Sequence, residues 1–169
     1  YMTLLRAMPK IIAAHPGSKL VIVGRGHMKK SLESTAKKMG IEESIHIQSS
    51  LSFEELAQHF RSADLVIYPS YYEGQGLIPL ESLASGTPVV TVDQEPLTEM
   101  VDETVGGLFS RGDFNDLAKV VIAELSSDNR IEKASKGRDR VLAGFTYEHN
   151  ASAYEAVFLR AIEKAKAKD

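Results

Sequence analysis

The chain has 169 residues, 43% of them apolar and 25% charged, with a net charge of -3 and no cysteine, enough material for one well-filled core in a single domain over residues 1–169. That composition excludes disulfides and thiolate metal sites, and its scattered basic residues argue against a nucleic-acid footprint. No apolar run approaches the roughly 18 to 20 residues that span a bilayer and no signal peptide is visible, so a cytoplasmic location is expected.

Leu4, Leu5, Met8, Ile11 and Ile12 recur at helical spacing, and Pro16-Gly17 closes that helix before Lys19–Val23, a short buried-strand run. Gly24-Arg25-Gly26 follows, then a polar-faced helix from Met28 to Lys38 with Leu32, Ala36 and Met39 on its inner side. Ile45-His46-Ile47 is the second strand. Ser52, with Glu55 three residues on, forms a capping-box signature for a helix over Phe53–Arg61. Asp64–Tyr68 is the third strand, stopping at Pro69-Ser70. A helix from Leu77 to Ser85 ends at Gly86, and Thr87–Val92 is the fourth strand. A short helix over Pro96–Val101 leads to Gly106-Gly107-Leu108-Phe109, read as a turn into a last strand. Phe114–Leu125 is an amphipathic helix capped by Asp113. Helices over Arg130–Ala143 and Tyr147–Lys164 follow, divided by Gly144, and the lysine-rich tail after Glu163 suits a helix C-terminus electrostatically. Strands alternating with helices of about ten residues predict an α/β, Rossmann-like three-layer sandwich with one mostly parallel sheet.

The stretch with most chemical content is Glu73-Gly74-Gln75-Gly76-Leu77-Ile78-Pro79-Leu80-Glu81, in the loop leaving the third strand. Open α/β sheets bind ligands at that end of their strands. Two glycines let backbone approach a ligand, and Pro79, tolerated only in a helix's first turn, sets the helix start near Gly76 or Leu77. The N–H groups of Gly76, Leu77 and Ile78 are then free to meet an anion, with the positive end of the helix dipole behind them. Glu81 falls on the flank of an apolar face made by Leu77, Leu80, Leu83 and Ala84, where a partly buried carboxylate is expected to take a ribose diol. Glu73 precedes the helix, placed toward a sugar beyond the phosphates. The plainer alternative makes Glu73 a solvated loop residue, Glu81 a dipole-favoured acid and the glycines a turn.

With Gly86-Thr87-Pro88-Val89-Val90, these residues resemble the Glu-Gly-x-Gly-Leu-x-x-Leu-Glu-x-x-Ala-x-Gly-x-Pro-Val-Val signature of retaining glycosyltransferases in the large family four group. The resemblance extends over Lys19–Gly26, the strand before Ser52, Asp64–Ser70, Gly106–Phe109 and Phe145-Thr146-Tyr147. It implies the C-terminal half of a GT-B fold: the nucleotide-diphosphate-sugar binding domain of a metal-independent hexosyltransferase that uses no other cofactor. By the same resemblance Glu81 binds the nucleotide ribose, and Glu73 contacts the donor sugar and is the catalytic-region carboxylate. The backbone of Gly74, Gln75, Gly76 and Leu77 holds sugar and diphosphate. Gly24, Arg25 and Gly26 border the donor pocket, and Ser50 and Leu51 flank the base. The family commonly has glycine where Ser49 stands and an acid where Arg25 stands. Its diphosphate-clamping arginine and lysine lie upstream of the helix that opens this chain, and its acceptor-binding N-terminal half is not in the sequence. A fragment cut close to an inter-domain linker, inactive alone, is therefore expected. The partners implied are a nucleotide sugar (UDP- or GDP-linked) and that N-terminal domain, with peripheral membrane association of the full-length enzyme.

Other constellations carry less. In Gly24-x-Gly26, Lys29 occupies the place of a dinucleotide fingerprint's third glycine. Lys29 and Lys30 read as a solvated helix face. His15, His27, His46, His59 and His149 lack ligand spacing, and neither Ser70 nor Ser85 sits in a nucleophile elbow. Tyr71 and Tyr72 line the pocket or cover the loop, and Tyr154 is read as core packing. Two alternatives remain open here: a noncatalytic regulatory or interaction domain on the same fold, and a nucleotide-sugar epimerase domain.

Overall fold

The computed structural model describes residues 1–166. Its helices are α1 (Met2–Ala14), α2 (Lys29–Lys38), α3 (Phe53–Ser62), α4 (Leu77–Ala84), α5 (Leu97–Met100), α6 (Phe114–Ser126), α7 (Arg130–Gly144) and α8 (Tyr147–Lys166). Its strands are β1 (Leu20–Val23), β2 (Ile45–Gln48), β3 (Val66–Tyr68), β4 (Val89–Val92) and β5 (Gly106–Phe109). The predicted order of elements is reproduced, with a 3-10 turn over Glu42–Ser44 added before β2. The last three residues of the lysine-rich tail, 167–169, lie outside the described residues.

All pairings are parallel, as alternating strands and helices require, but they form two groups instead of one sheet. β1 pairs with β2, Leu20 opposite Ile45, and β4 sits between β3 and β5, with Val89 opposite both Val66 and Gly106. A ladder needs neighbours about 4.8 Å apart, and among the described residues no strand joins β1 to β3. One helical layer contains α1, packed on α2 and α6; the other contains α3, α4 and α7. β4, covered on both sides, is buried at every position, which its unbroken Val89-Val90-Thr91-Val92 run encodes.

Three local devices fix the frame. Ser52 and Glu55 form the expected capping box, the Ser52 N–H donating to Glu55 Oε2 at 2.7 Å and the Glu55 N–H to Ser52 Oγ at 3.2 Å. Asp113 caps α6 by accepting from the N–H groups of Asn115 and Asp116. Buried Lys133 of α7 donates to both oxygens of buried Glu124 of α6, at 2.7 and 3.0 Å, and to the Gly106 carbonyl at 3.1 Å. That last set ties both layers to β5.

The reading of Gly106-Gly107 as a turn is corrected, because both residues lie inside β5. A Cβ on Gly106 would fall 1.9 Å from the Val89 carbonyl oxygen, and one on Gly107 would fall 2.5 Å from Val120 of α6. The glycines admit close packing. Helix α8 buries none of its side chains, packing sparsely against α7, and Tyr154, read from sequence as core, is exposed. No helix among the described residues is long and apolar enough to cross a membrane.

Candidate functional site

Helix α1 starts beside the loop after β3, where Thr3 Oγ1 lies 2.7 Å from Tyr71 Oη, and runs back to feed β1. Both strand groups therefore point the same way, with their C-terminal ends on one edge. Gly24-Arg25-Gly26 leaves β1, Ser50-Leu51 leaves β2 and Glu73–Glu81 leaves β3 at that edge. The first of these loops is held to the end of β2 by the Gly24 N–H, which donates to the Gln48 carbonyl at 2.9 Å. Gly24, Arg25, Gly26 and Ser50 are exposed and Leu51 is half-buried. No hydrogen bond or ion pair among the described residues joins them to the Glu73 loop, so the structure aligns these candidates on one edge without a polar link between them.

The turn after β3 is built differently. Gly76 is the N-cap residue of α4 at φ +82°, and an added Cβ would meet Leu97 Cδ2 at 2.7 Å and Met100 Cε at 3.2 Å. That left-handed φ is one that residues with a Cβ rarely adopt, and an added Cβ would also push the ends of Leu97 and Met100 aside. Helix α4 begins at Leu77, within the predicted start, with Pro79 in its first turn. No side chain caps it. Among the described residues the N–H groups of Gly74, Gln75, Gly76, Leu77 and Ile78 have no protein acceptor, leaving five donors with the helix dipole behind the last of them.

The two acids occupy opposite situations. Glu73 is half-buried, and its Oε1 accepts from Tyr68 Oη and, at 2.5 Å, from Ser70 Oγ. Burial, then the hydrogen bond to Glu73, pushes the Tyr68 phenol up to about 12. Glu81 is exposed by residue area, while its carboxyl has the desolvation of the partly buried group that the sequence suggests. The buried face of α4 is Pro79, Leu80, Ser82 and Leu83, while Leu77 is 57% exposed and Ala84 is also open. Seating Gly76 under α5 rotates the helix, which turns Leu77 and Glu81, one turn apart, outward together. Although exposed by area, Glu81 is crowded enough on one side that desolvation raises its carboxyl above the ordinary range. An exposed leucine beside a destabilised carboxylate makes a surface suited to being covered by a ligand that offers both apolar contact and O–H donors.

Sequence reasoning missed the supports of this loop. Gln94 Nε2 donates to the Tyr71 carbonyl at 2.8 Å, and the Arg111 guanidinium lies 5.1 Å from the Tyr71 ring centroid and 4.8 Å from that of Tyr72. Tyr71 is thereby a covered loop residue, while Tyr72 remains exposed under the arginine. Arg111 follows β5, far along the chain, and had no sequence signal; Tyr68 and Ser70 had one, as polar residues at the strand end just before Glu73. A surface recess of about 600 Å³, lined by Thr104, Lys136, Asp139 and Arg140 among others, lies on the flank of α7 and contains none of these residues. It is an open groove beside the Lys136–Glu132 and Arg140–Asp102 ion pairs.

Residues 1–139 match the protein family described as glycosyl transferases group 1. The chain is 33% identical over 156 residues to a D-inositol 3-phosphate glycosyltransferase of Nocardia farcinica, covering 88% of this chain and 35% of that protein. It is 38% identical over 106 residues to an uncharacterized glycosyltransferase of Methanocaldococcus jannaschii, covering 63% of this chain and 27% of that protein. The chain thus spans about a third of the length of the curated relatives it matches. In fold it is similar to a TarM mutant of S. aureus solved in complex with fondaparinux, alpha-GlcNAc-glycerol and UDP, with a TM-score of 0.83 at 22% identity over 93% of this chain and 32% of that one.

Proposed function

Because the chain belongs to the glycosyl transferases group 1 family and has the fold of the C-terminal half of a GT-B glycosyltransferase, we propose that it is the donor-binding domain of a retaining hexosyltransferase. One observation carries the reading: five acceptor-less N–H groups from Gly74 to Ile78 at the start of α4 sit between two carboxylates, at the C-terminal end of a parallel strand. These N–H groups offer only donors, so they select the diphosphate; carboxylates offer only acceptors, so they select hydroxyls. The order Glu73, amides, Glu81 then sets sugar, diphosphate and ribose in one line. Presence of UDP in the similar S. aureus structure agrees with a nucleotide guest.

In this reading the helix end stabilises the departing diphosphate electrostatically while Glu73 orients the sugar, and no metal is required for that charge. Gly24, Arg25 and Gly26 form the outer rim of the pocket and Ser50 with Leu51 borders the base. The acceptor site belongs to an N-terminal domain in the same protein. Calorimetric titration of the intact protein with UDP- and GDP-sugars tests the proposal. Saturable binding that survives EDTA and falls in Glu81→Ala is expected; affinity equal to wild type in Glu81→Ala would sink the ribose assignment.

A further inference from the structure

We propose that Tyr68 and Ser70 are positioning residues for Glu73, filling one oxygen of its carboxylate so that the other is held as a single acceptor for the hydroxyls of the donor sugar. This deepens the reading above and rests on it.

Both donors converge on the same atom. Tyr68 Oη and Ser70 Oγ donate to Glu73 Oε1, and no group among the described residues donates to Oε2. A carboxylate oxygen accepts about two hydrogen bonds, which leaves Oε1 full and Oε2 open. A carboxylate oxygen only accepts, so that open oxygen repels phosphate and is met by a donor, which in a nucleotide sugar near this loop means a sugar hydroxyl.

The phenol is placed by the sheet instead of the loop. Tyr68 is the last residue of β3, paired with Thr91 of buried β4, whose Oγ1 donates to the Tyr68 carbonyl at 3.1 Å. Its raised pKa, about 12, keeps the O–H in place as a donor across the neutral range. The intervening backbone is held as well: Gln94 binds the Tyr71 carbonyl, Thr3 meets the Tyr71 hydroxyl and Arg111 covers both tyrosine rings. A glutamate otherwise free to sample several rotamers is thus fixed before ligand arrives, which removes an ordering cost from sugar binding.

The test compares each nucleotide with its sugar conjugate in the intact protein: UDP against UDP-glucose, and GDP against GDP-mannose, by calorimetry. The readout is the ratio of conjugate to nucleotide affinity. Wild type is expected to prefer the conjugate, Glu73→Gln to lose the preference, and Tyr68→Phe and Ser70→Ala each to reduce it about three- to tenfold, the worth of one hydrogen bond. Ser70→Thr, which keeps the hydroxyl, is expected to restore it. A merely structural role would weaken nucleotide and conjugate together and leave the ratio unchanged. An unchanged ratio in Tyr68→Phe and Ser70→Ala, with the ratio lost in Glu73→Gln, overturns this inference alone. A wild-type ratio in Glu73→Gln overturns the sugar-facing role of Glu73 itself. If Tyr68→Phe fails to fold, Ser70→Ala decides.

Discussion

Two of the glycine turns at the ends of parallel strands, those after β1 and β3, are physically unlike. After β1, Gly24 and Gly26 stand in open space, with nothing within 4 Å of either added Cβ, and Arg25 between them is exposed. After β3, Gly76 is clamped under Leu97 and Met100 while Glu73 is tied to Tyr68 and Ser70. The first turn can yield to whatever touches it. The second is a preformed cradle, since the packing beneath it and the hydrogen bonds behind it exist without ligand. A glycine pair therefore says that backbone is accessible, and only the surroundings say whether it is organised.

The contrast can be broken most directly at the glycines. Gly76→Ala must strain a left-handed backbone and push Leu97 aside, and should cost about 3 kcal/mol of stability. Gly26→Ala should change stability by less than about 0.5 kcal/mol. Thermal and denaturant unfolding of both variants measures the difference, and equal losses would mean that the cradle is no more rigid than the open rim.

Next in size are the charges. Glu81→Ala, which removes acceptors for hydrogen bonds from a ribose, should weaken nucleotide binding about tenfold or more, whereas loss of exposed Arg25 in Arg25→Ala should cost less than about threefold. Calorimetry with UDP ranks the two, and a larger loss at Arg25 would shift the weight of binding to the first turn.

A smaller effect comes from protonation. The Glu81 carboxyl lies above its usual range through desolvation, and O–H donors from a ligand favour its ionised form. Proton uptake therefore competes with ligand, so affinity should weaken as pH falls through that raised carboxylate range and hold steady above it. Titrations from neutral pH down through the carboxylate range should show the decline in wild type, and the same slope in Glu81→Gln would assign it elsewhere.

The smallest expectation concerns a site remote from both turns. Burial disfavours ionisation of Asp102, but hydrogen bonds from Arg140 and Thr104 outweigh it and hold the carboxyl at about 2. A depressed carboxylate stabilises the fold above its unfolded pKa and loses that contribution as pH falls through its folded one. After allowance for its exposure, about 1 kcal/mol should be lost between about pH 4 and pH 2. Unfolding of Asp102→Asn against wild type over that window isolates it, and should leave the cradle's ligand preference at neutral pH intact.

Much of this was legible from residue order. The alternation of short apolar strands with helices set the α/β class, Ser52 with Glu55 and Asp113 marked two helix starts, and Pro79 located the start of α4, because each is a local rule acting within a few residues. The rotation of α4 was not legible. Leu77, Leu80, Leu83 and Ala84 all suit an inward face, and the seat of Gly76 under α5 chose Pro79, Leu80, Ser82 and Leu83 instead, exposing Glu81. Gly106-Gly107 misled for a related reason: glycine in a strand and glycine in a turn look alike until Val89 and Val120 are seen pressing on them.

The sequence by itself determined the order of elements, the helix caps and a glycine-acid motif at the end of the third strand, since propensity, capping and proline geometry act over a single turn. Tertiary structure alone decided that the strands fall into two parallel groups, that Glu73 is held by two donors while Glu81 stands open, and that Arg111 covers the tyrosines beside them. Those outcomes depend on which distant side chains fill the same space, and that competition is resolved only when the layers pack.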